Sequence, residues 1–235
     1  MKRYMKHLSV ILLLVMVAGC APPGPATAPA MPAEPAAAAT DTPAETSGPA
    51  APAGGTVYRA LTSEPPNLDP QGAPHSGLSL VLPYLFDTLV VLDLDNSVHP
   101  LLADSWETAD DGKTITMTLK SGVTFHDGTP LNAEAVKFTF ERFQEVGKAS
   151  PIYGGIQQIA GIEAVDELTV RFTFDAPAAN FWSTVAMPYA GIISPASAEA
   201  AAAAADGAAV LVGTGPFMLE EWKAGQSISV VRNPA

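Results

Sequence analysis

Beyond residue 54 the apolar and polar positions follow two periods, and each period predicts an element. Thr56-Val57-Tyr58-Arg59-Ala60-Leu61 alternates every second residue and predicts a strand. The prolines of Glu64-Pro65-Pro66-Asn67-Leu68-Asp69-Pro70 would deny a ladder its donors and end that strand. Leu78, Leu82, Leu85 and Leu89 recur at helical spacing, which predicts a helix over at least part of Leu78–Val91 despite Pro83, with a turn at Asp93–Asn96. Thr114–Leu119 is the clearest strand: Ile115, Met117 and Leu119 share one face and threonines the other. Asp110-Asp111-Gly112 turns into it, and Ser121-Gly122 and His126-Asp127-Gly128-Thr129-Pro130 turn after it, around a short extended Val123-Thr124-Phe125.

The best helix follows, with Asn132 as N-cap, Glu134 in the first turn, a core stripe of Val136, Phe140 and Phe143, and Gly147 as a stop. Ile162–Val165 and Leu168–Phe174 form a two-stranded signal around Asp166-Glu167, and a short helix is expected at Asn180–Val185. Ala196–Ala205 is helical by propensity, bounded by Pro195 and Gly207. Gly213-Thr214-Gly215-Pro216 is a tight turn into Phe217-Met218-Leu219, and Gly225 turns toward Ile228–Val231. Helices and strands are intermingled, which predicts an α/β or α+β fold class.

The N-terminal pattern is different. Lys2, Arg3 and Lys6 precede an apolar run, Leu8–Ala18, broken only by Ser9. Such a run rises roughly 16 Å as a helix, whereas a membrane span needs about 20 residues, so residues 1–19 read as a signal peptide. Val17-Ala18-Gly19-Cys20 closes it and resembles the lipobox of bacterial lipoproteins. That resemblance implies cleavage before Cys20 and acylation of it, with membrane residence through more than one acyl chain, palmitate among them. Residues 20–53 are dominated by Ala, Pro, Thr, Ser and Gly and read as a semi-extended tether of up to roughly 100 Å.

Removing the leader takes away three of twelve basic residues and none of 24 acidic ones, and moves the formal net charge from −12 to −15. A surface this acidic repels nucleic acid and anionic lipid alike, so the anchor and not a basic patch must hold the chain to a membrane. Cys20 is the single cysteine. Intramolecular disulfides and cysteine-rich zinc sites are thereby excluded.

Catalysis finds little support. His7, His75, His99 and His126 lie far apart without metal-ligand spacing, and neither a G-x-S-x-G elbow nor H-E-x-x-H occurs. No metal site, cofactor or catalytic residue is assigned. His126-Asp127 could be an acid–base pair, but an aspartate in such a turn more often accepts from nearby backbone. Gly213-Thr214-Gly215-Pro216 lacks the Lys-Ser or Lys-Thr of a phosphate loop. Trp106, Trp182 and Trp222 could line a cleft, although packing is the commoner role for such residues.

Several stretches taken together resemble the N-terminal part of the family-5 extracellular solute-binding proteins, the dipeptide, oligopeptide and nickel-binding group that serves ABC importers. They run in the family's order: Pro66-Asn67-Leu68-Asp69-Pro70, Leu85-Phe86-Asp87-Thr88-Leu89, Pro100–Trp106, Asp111-Gly112-Lys113, Gly122–Ala133, Gly213–Pro216 and Arg232-Asn233-Pro234. The resemblance implies an α/β fold like that of type II periplasmic binding proteins, with an incomplete first lobe, residues 54–87 and 188–235, and an inserted α+β subdomain, residues 88–187. It implies ligand contacts from Gly72, Ala73, Pro74, His75 and Ser76, with Tyr153 near the cleft. It also implies a peptide or other small solute as ligand, ABC permease subunits as partners, an extracytoplasmic location and no enzymatic activity. Members of this family continue past the Asn-Pro position into a second lobe, so the chain reads as a first lobe truncated before it, either a fragment or a remnant.

Overall fold

A computed structural model describes residues 55–149, 153–203 and 210–234. The leader, Cys20, the tether and the end of the Ala-rich helix lie outside the described residues. Two units are distinguished, Met1–Thr56 and Val57–Ala235, and everything below concerns the second.

The four-stranded antiparallel sheet is built from sequence-adjacent pieces. β3 (Ala103–Thr108), β4 (Thr114–Leu119), β5 (Ile159–Ala164) and β6 (Thr169–Phe174) lie in the order β3-β4-β6-β5. Met117 is opposite Trp106 on one side and Val170 on the other, and Ile115 is opposite Phe172. The period-two reading of β4 holds: Ile115, Met117 and Leu119 are all buried. α2 (Ala133–Val146) covers this face. Its N-cap forms as the sequence predicts, with Asn132 Oδ1 accepting from the Ala135 amide at 2.9 Å, and Val136, Phe140 and Phe143 are fully buried. Phe140 meets Phe172 edge-on with centroids 5.3 Å apart. A short hairpin, β1 (Val90–Leu92) with β2 (Val98–Pro100), and the short helices α3 (Gly154–Gln157) and α4 (Phe181–Val185) complete this core. Trp106 and Trp182 pack together against it, half-buried, 5.1 Å between centroids.

A second core gathers segments from both ends of the described chain. α1 (Ser76–Leu85) packs with Leu68, Ile193, Ala198 of α5 (Pro195–Ala203) and Leu211, and is flanked by a hairpin of β7 (Phe217–Lys223) and β8 (Ser227–Arg232). Trp222 belongs here, its indole donating to Glu64 Oε1 at 3.2 Å.

One sequence expectation is corrected. Residues 56–61 form no strand: alternation alone makes no ladder, no described strand pairs with them, and Val57 and Tyr58 are 91 % and 93 % exposed. The helix expected over part of Leu78–Val91 forms as α1 and stops at Leu85, while Leu89 leaves its stripe to join the sheet's core. What stops it comes from far along the chain. The Gly215 amide donates to the Leu85 carbonyl at 3.1 Å, and Phe86 is extended. A Cβ on Gly215 would stand 2.5 Å from the Leu85 carbonyl carbon, and one on Gly213 would stand 2.3 Å from the Leu85 oxygen. The Gly-Thr-Gly turn is thus a close-approach device, not a phosphate cradle.

Candidate functional site

The first part of the loop, Asn67–Gly72, is braced by its own polar groups. Asn67 Oδ1 accepts from the Asp69 amide at 3.1 Å, Asp69 Oδ1 from the Gln71 amide at 2.9 Å, and the Asp69 carbonyl from the Gly72 amide at 3.2 Å. Two side-chain-to-backbone bonds and one backbone turn take the place of the ladder that Pro66 and Pro70 forbid. Leu68, 3 % exposed, plugs the second core below.

Long-range partners then fix the loop. Gln71 is fully buried, and its Nε2 donates to the Thr139 carbonyl of α2 at 2.7 Å. Arg142, one turn further along α2, donates to Gln71 Oε1 and grips Asp69 with both terminal nitrogens, at 2.7 and 3.1 Å. Thr139 ties the same helix to Ile193, whose amide donates to its Oγ1 at 3.2 Å. A buried amide such as Gln71 demands partners for both its ends, and it has them.

The residues assigned to ligand on the sequence are brought together here. Ala73, Pro74 and Ser76 are exposed, and Gly72 and His75 are half-buried. Tyr153 also reaches the loop, but from beneath: it is 1 % exposed and its hydroxyl donates to the Gly72 carbonyl at 2.8 Å. His75 caps α1, its Nδ1 accepting from the Gly77 amide at 3.2 Å, which requires Nδ1 to be unprotonated. Gly77 is obligatory, because a Cβ there would lie 2.1 Å from the Ser63 carbonyl oxygen. Among the described residues, the Ala73 amide and carbonyl have no hydrogen-bond partner, and Ala73 is exposed.

Sequence reasoning missed Arg142 and Tyr189 as members of this site. A signal existed for one: Ala135, Thr139 and Arg142 fall at helical spacing beside the apolar stripe, so a cation stands at the margin of a core-facing surface.

The alternative chemistries dissolve into scaffold. Asp127 Oδ1 accepts from the Thr129 amide at 2.9 Å and Oδ2 from Ser194 Oγ, while His126 Nε2 pairs with the Gly215 carbonyl oxygen at 2.8 Å. Burial alone would raise the Asp127 carboxyl, but the Ser194 and Thr129 bonds outweigh it and hold it below the usual aspartate value. His99 pairs with Asp93 across the exposed β1–β2 hairpin. Among the described residues no three His, Cys, Asp or Glu side chains gather as a metal site would require, and no helix is long and apolar enough to cross a membrane.

Comparison with known proteins agrees on one group. Residues 97–235 match the model for bacterial extracellular solute-binding proteins, family 5 Middle. The chain is 45 % identical over 136 residues to the probable D,D-dipeptide-binding periplasmic protein DdpA of Escherichia coli (strain K12), covering 57 % of this chain and 26 % of that one. It is 36 % identical over 166 residues to the glutathione-binding protein GsiB of Salmonella typhi, covering 71 % and 32 %. The ABC transporter-associated periplasmic binding protein DppA from Helicobacter pylori, solved in complex with peptide STSA, superposes with a TM-score of 0.62 at 28 % identity, covering 71 % and 37 %. The fold is accordingly part of that of a type II periplasmic binding protein, and the chain spans between 26 % and 37 % of the length of these relatives. The chain belongs to the family-5 bacterial extracellular solute-binding proteins.

Proposed function

We propose that this chain is the first part of a substrate-binding lipoprotein that captures peptides outside the cytoplasm for an ABC importer. Ligand would meet Gly72–Ser76, be enclosed between lobes, and be handed to permease subunits without covalent chemistry. Residues 54–87 and 188–235 would serve as the first lobe and 88–187 as the inserted subdomain. Cys20 would carry the lipid that keeps the domain near its permease.

The observation that carries this reading is the exposed Ala73-Pro74 corner on an otherwise fastened loop, with an amide and a carbonyl at Ala73 that have no partner among the described residues. Small side chains leave that backbone accessible, and a peptide is a ligand whose own amides and carbonyls can pair with it. The relatives named above bind a D,D-dipeptide, glutathione and a tetrapeptide by their descriptions, all peptide or peptide-like.

Calorimetry with a panel of di- to tetrapeptides, a nickel chelate and an oligosaccharide, on the chain within its full reading frame, tests the assignment. Saturable heat with peptides is the expected result, accompanied by a change in tryptophan fluorescence. Heat only with the nickel chelate or the oligosaccharide would retain an importer role and defeat the peptide assignment; heat with none would defeat solute capture. Mass spectrometry of the membrane fraction tests the anchor, and an unmodified Cys20 would refute it.

A further inference from the structure

The shape of the loop Gly72–Ser76 is set by side chains from outside it. Phe143, Tyr153 and Tyr189 form an aromatic column, with centroids 4.7 Å apart for the first pair and 5.7 Å for the second. Its two phenol tips end on one loop. Tyr153 Oη donates to the Gly72 carbonyl at 2.8 Å. Tyr189 Oη accepts from the His75 amide and donates to the His75 carbonyl, both at 3.2 Å. The two fastened residues bracket Ala73 and Pro74, the exposed corner. Arg142 fixes the loop's entry through Asp69 and Gln71. Three anchors drawn from α2, the start of α3 and the turn Pro188–Ala190 thus converge on a segment of small residues that could not hold one shape unaided.

We propose that Tyr153 and Tyr189, with Arg142, are positioning residues that preform the Gly72–Ser76 loop before ligand arrives; this rests on reading that loop as ligand-facing. Neither phenol needs to touch ligand. The hydroxyls act through the backbone they hold, so apparent affinity should scale with the fraction of molecules in which the loop keeps its shape. Burial, with Tyr189 and Asp69 close by, pushes the Tyr153 phenol upward, so its hydroxyl remains a donor at any ordinary pH.

The test is the double variant Tyr153→Phe/Tyr189→Phe, which keeps both rings and removes both hydroxyls. Amide hydrogen exchange on the full chain without ligand is followed at Gly72, His75 and Gly77. The expected result is about tenfold faster exchange at these amides relative to those of β4 and β6, with the melting temperature little changed. Val170→Ala, a core variant away from the loop, should lower the melting temperature without altering that ratio. An unchanged ratio in the double variant overturns the inference, as does an equal acceleration in Val170→Ala.

Tri-alanine binding separates the inference from the reading beneath it. Ala73→Trp should block tri-alanine by filling the corner, and the double variant should weaken it about tenfold if the loop then holds its shape a tenth of the time. Full tri-alanine affinity in Ala73→Trp would sink the ligand-facing reading. A block in Ala73→Trp with wild-type affinity in the double variant would instead sink the positioning role.

Discussion

The four-stranded sheet under α2 and the β7–β8 hairpin beside α1 are both antiparallel and both helix-flanked, but they differ in depth. On the sheet, Ile115, Met117, Val170 and Phe172 are at most 2 % exposed. On the hairpin no residue is fully buried, and Leu219, Trp222, Ile228 and Val230 only lean against the second core. Two strands cannot shield a face by themselves, whereas four strands with an amphipathic helix can. The sheet is therefore the structural keel, and the hairpin is held mainly by what it touches.

The largest expected effect follows from that contrast. Phe140→Ala removes a fully buried ring from between α2 and β6 and should cost about 4 kcal/mol. Ile228→Ala, on the half-buried hairpin, should cost about 1 kcal/mol. Urea unfolding of both variants would check the order, and equal or reversed losses would show that the hairpin belongs to the same cooperative core.

Arg142→Ala comes next, because it acts where the two regions meet: the helix of the sheet's core holds the loop that leads into α1. Removing the guanidinium strands the buried Gln71 Oε1 and leaves Asp69 without its cation, at a cost of about 2 kcal/mol. Arg142→Lys keeps the charge but not the fork, and should recover only part of that loss. Full recovery by lysine in urea unfolding would mean that charge alone matters there.

The same contrast explains what could be read in advance. β4, β5, β6 and α2 arise from local periodicity and an Asn132 cap, and the residues they bury are neighbours in sequence. The second core draws on residues 68–86, 193–201, 210–211 and 219–230, so its boundaries are decided by contacts that no short window contains. Leu89 fits a helical stripe perfectly well, but the Gly213–Pro216 turn claims the Leu85 carbonyl and ends the helix first. Thr56–Leu61 has the alternation of a strand and lacks only a described partner. At the site, family resemblance pointed to the loop and to Tyr153, while the hydroxyl's inward role and the Arg142 grip required knowing which backbone groups lay within reach.

The smallest effects lie in the polar seam between the regions, where two aspartates should respond to pH with opposite sign. Asp127, held below the usual value, contributes stability that is present above the ordinary aspartate range and lost as pH falls through its folded pKa. Asp127→Asn should therefore cost up to about 1 kcal/mol at pH 7, solvent screening limiting it, and the gap to wild type should close in acid. Asp87 is raised, chiefly by burial, against the opposing pull of the Thr214 hydroxyl, His126 and Lys120. Its contribution is fully present below the ordinary aspartate value and declines as pH rises through its folded pKa. Asp87→Asn should accordingly gain on wild type between acid and neutral pH, by less than about 1 kcal/mol because the group is partly exposed. Comparing each variant with wild type at every pH cancels the titration of groups common to both. Two differences of the same slope would mean that the seam does not divide burial from hydrogen bonding as the geometry of Thr214 and Ser194 divides it: one hydroxyl too weak to offset burial at Asp87, and one helped by Thr129 that more than offsets it at Asp127.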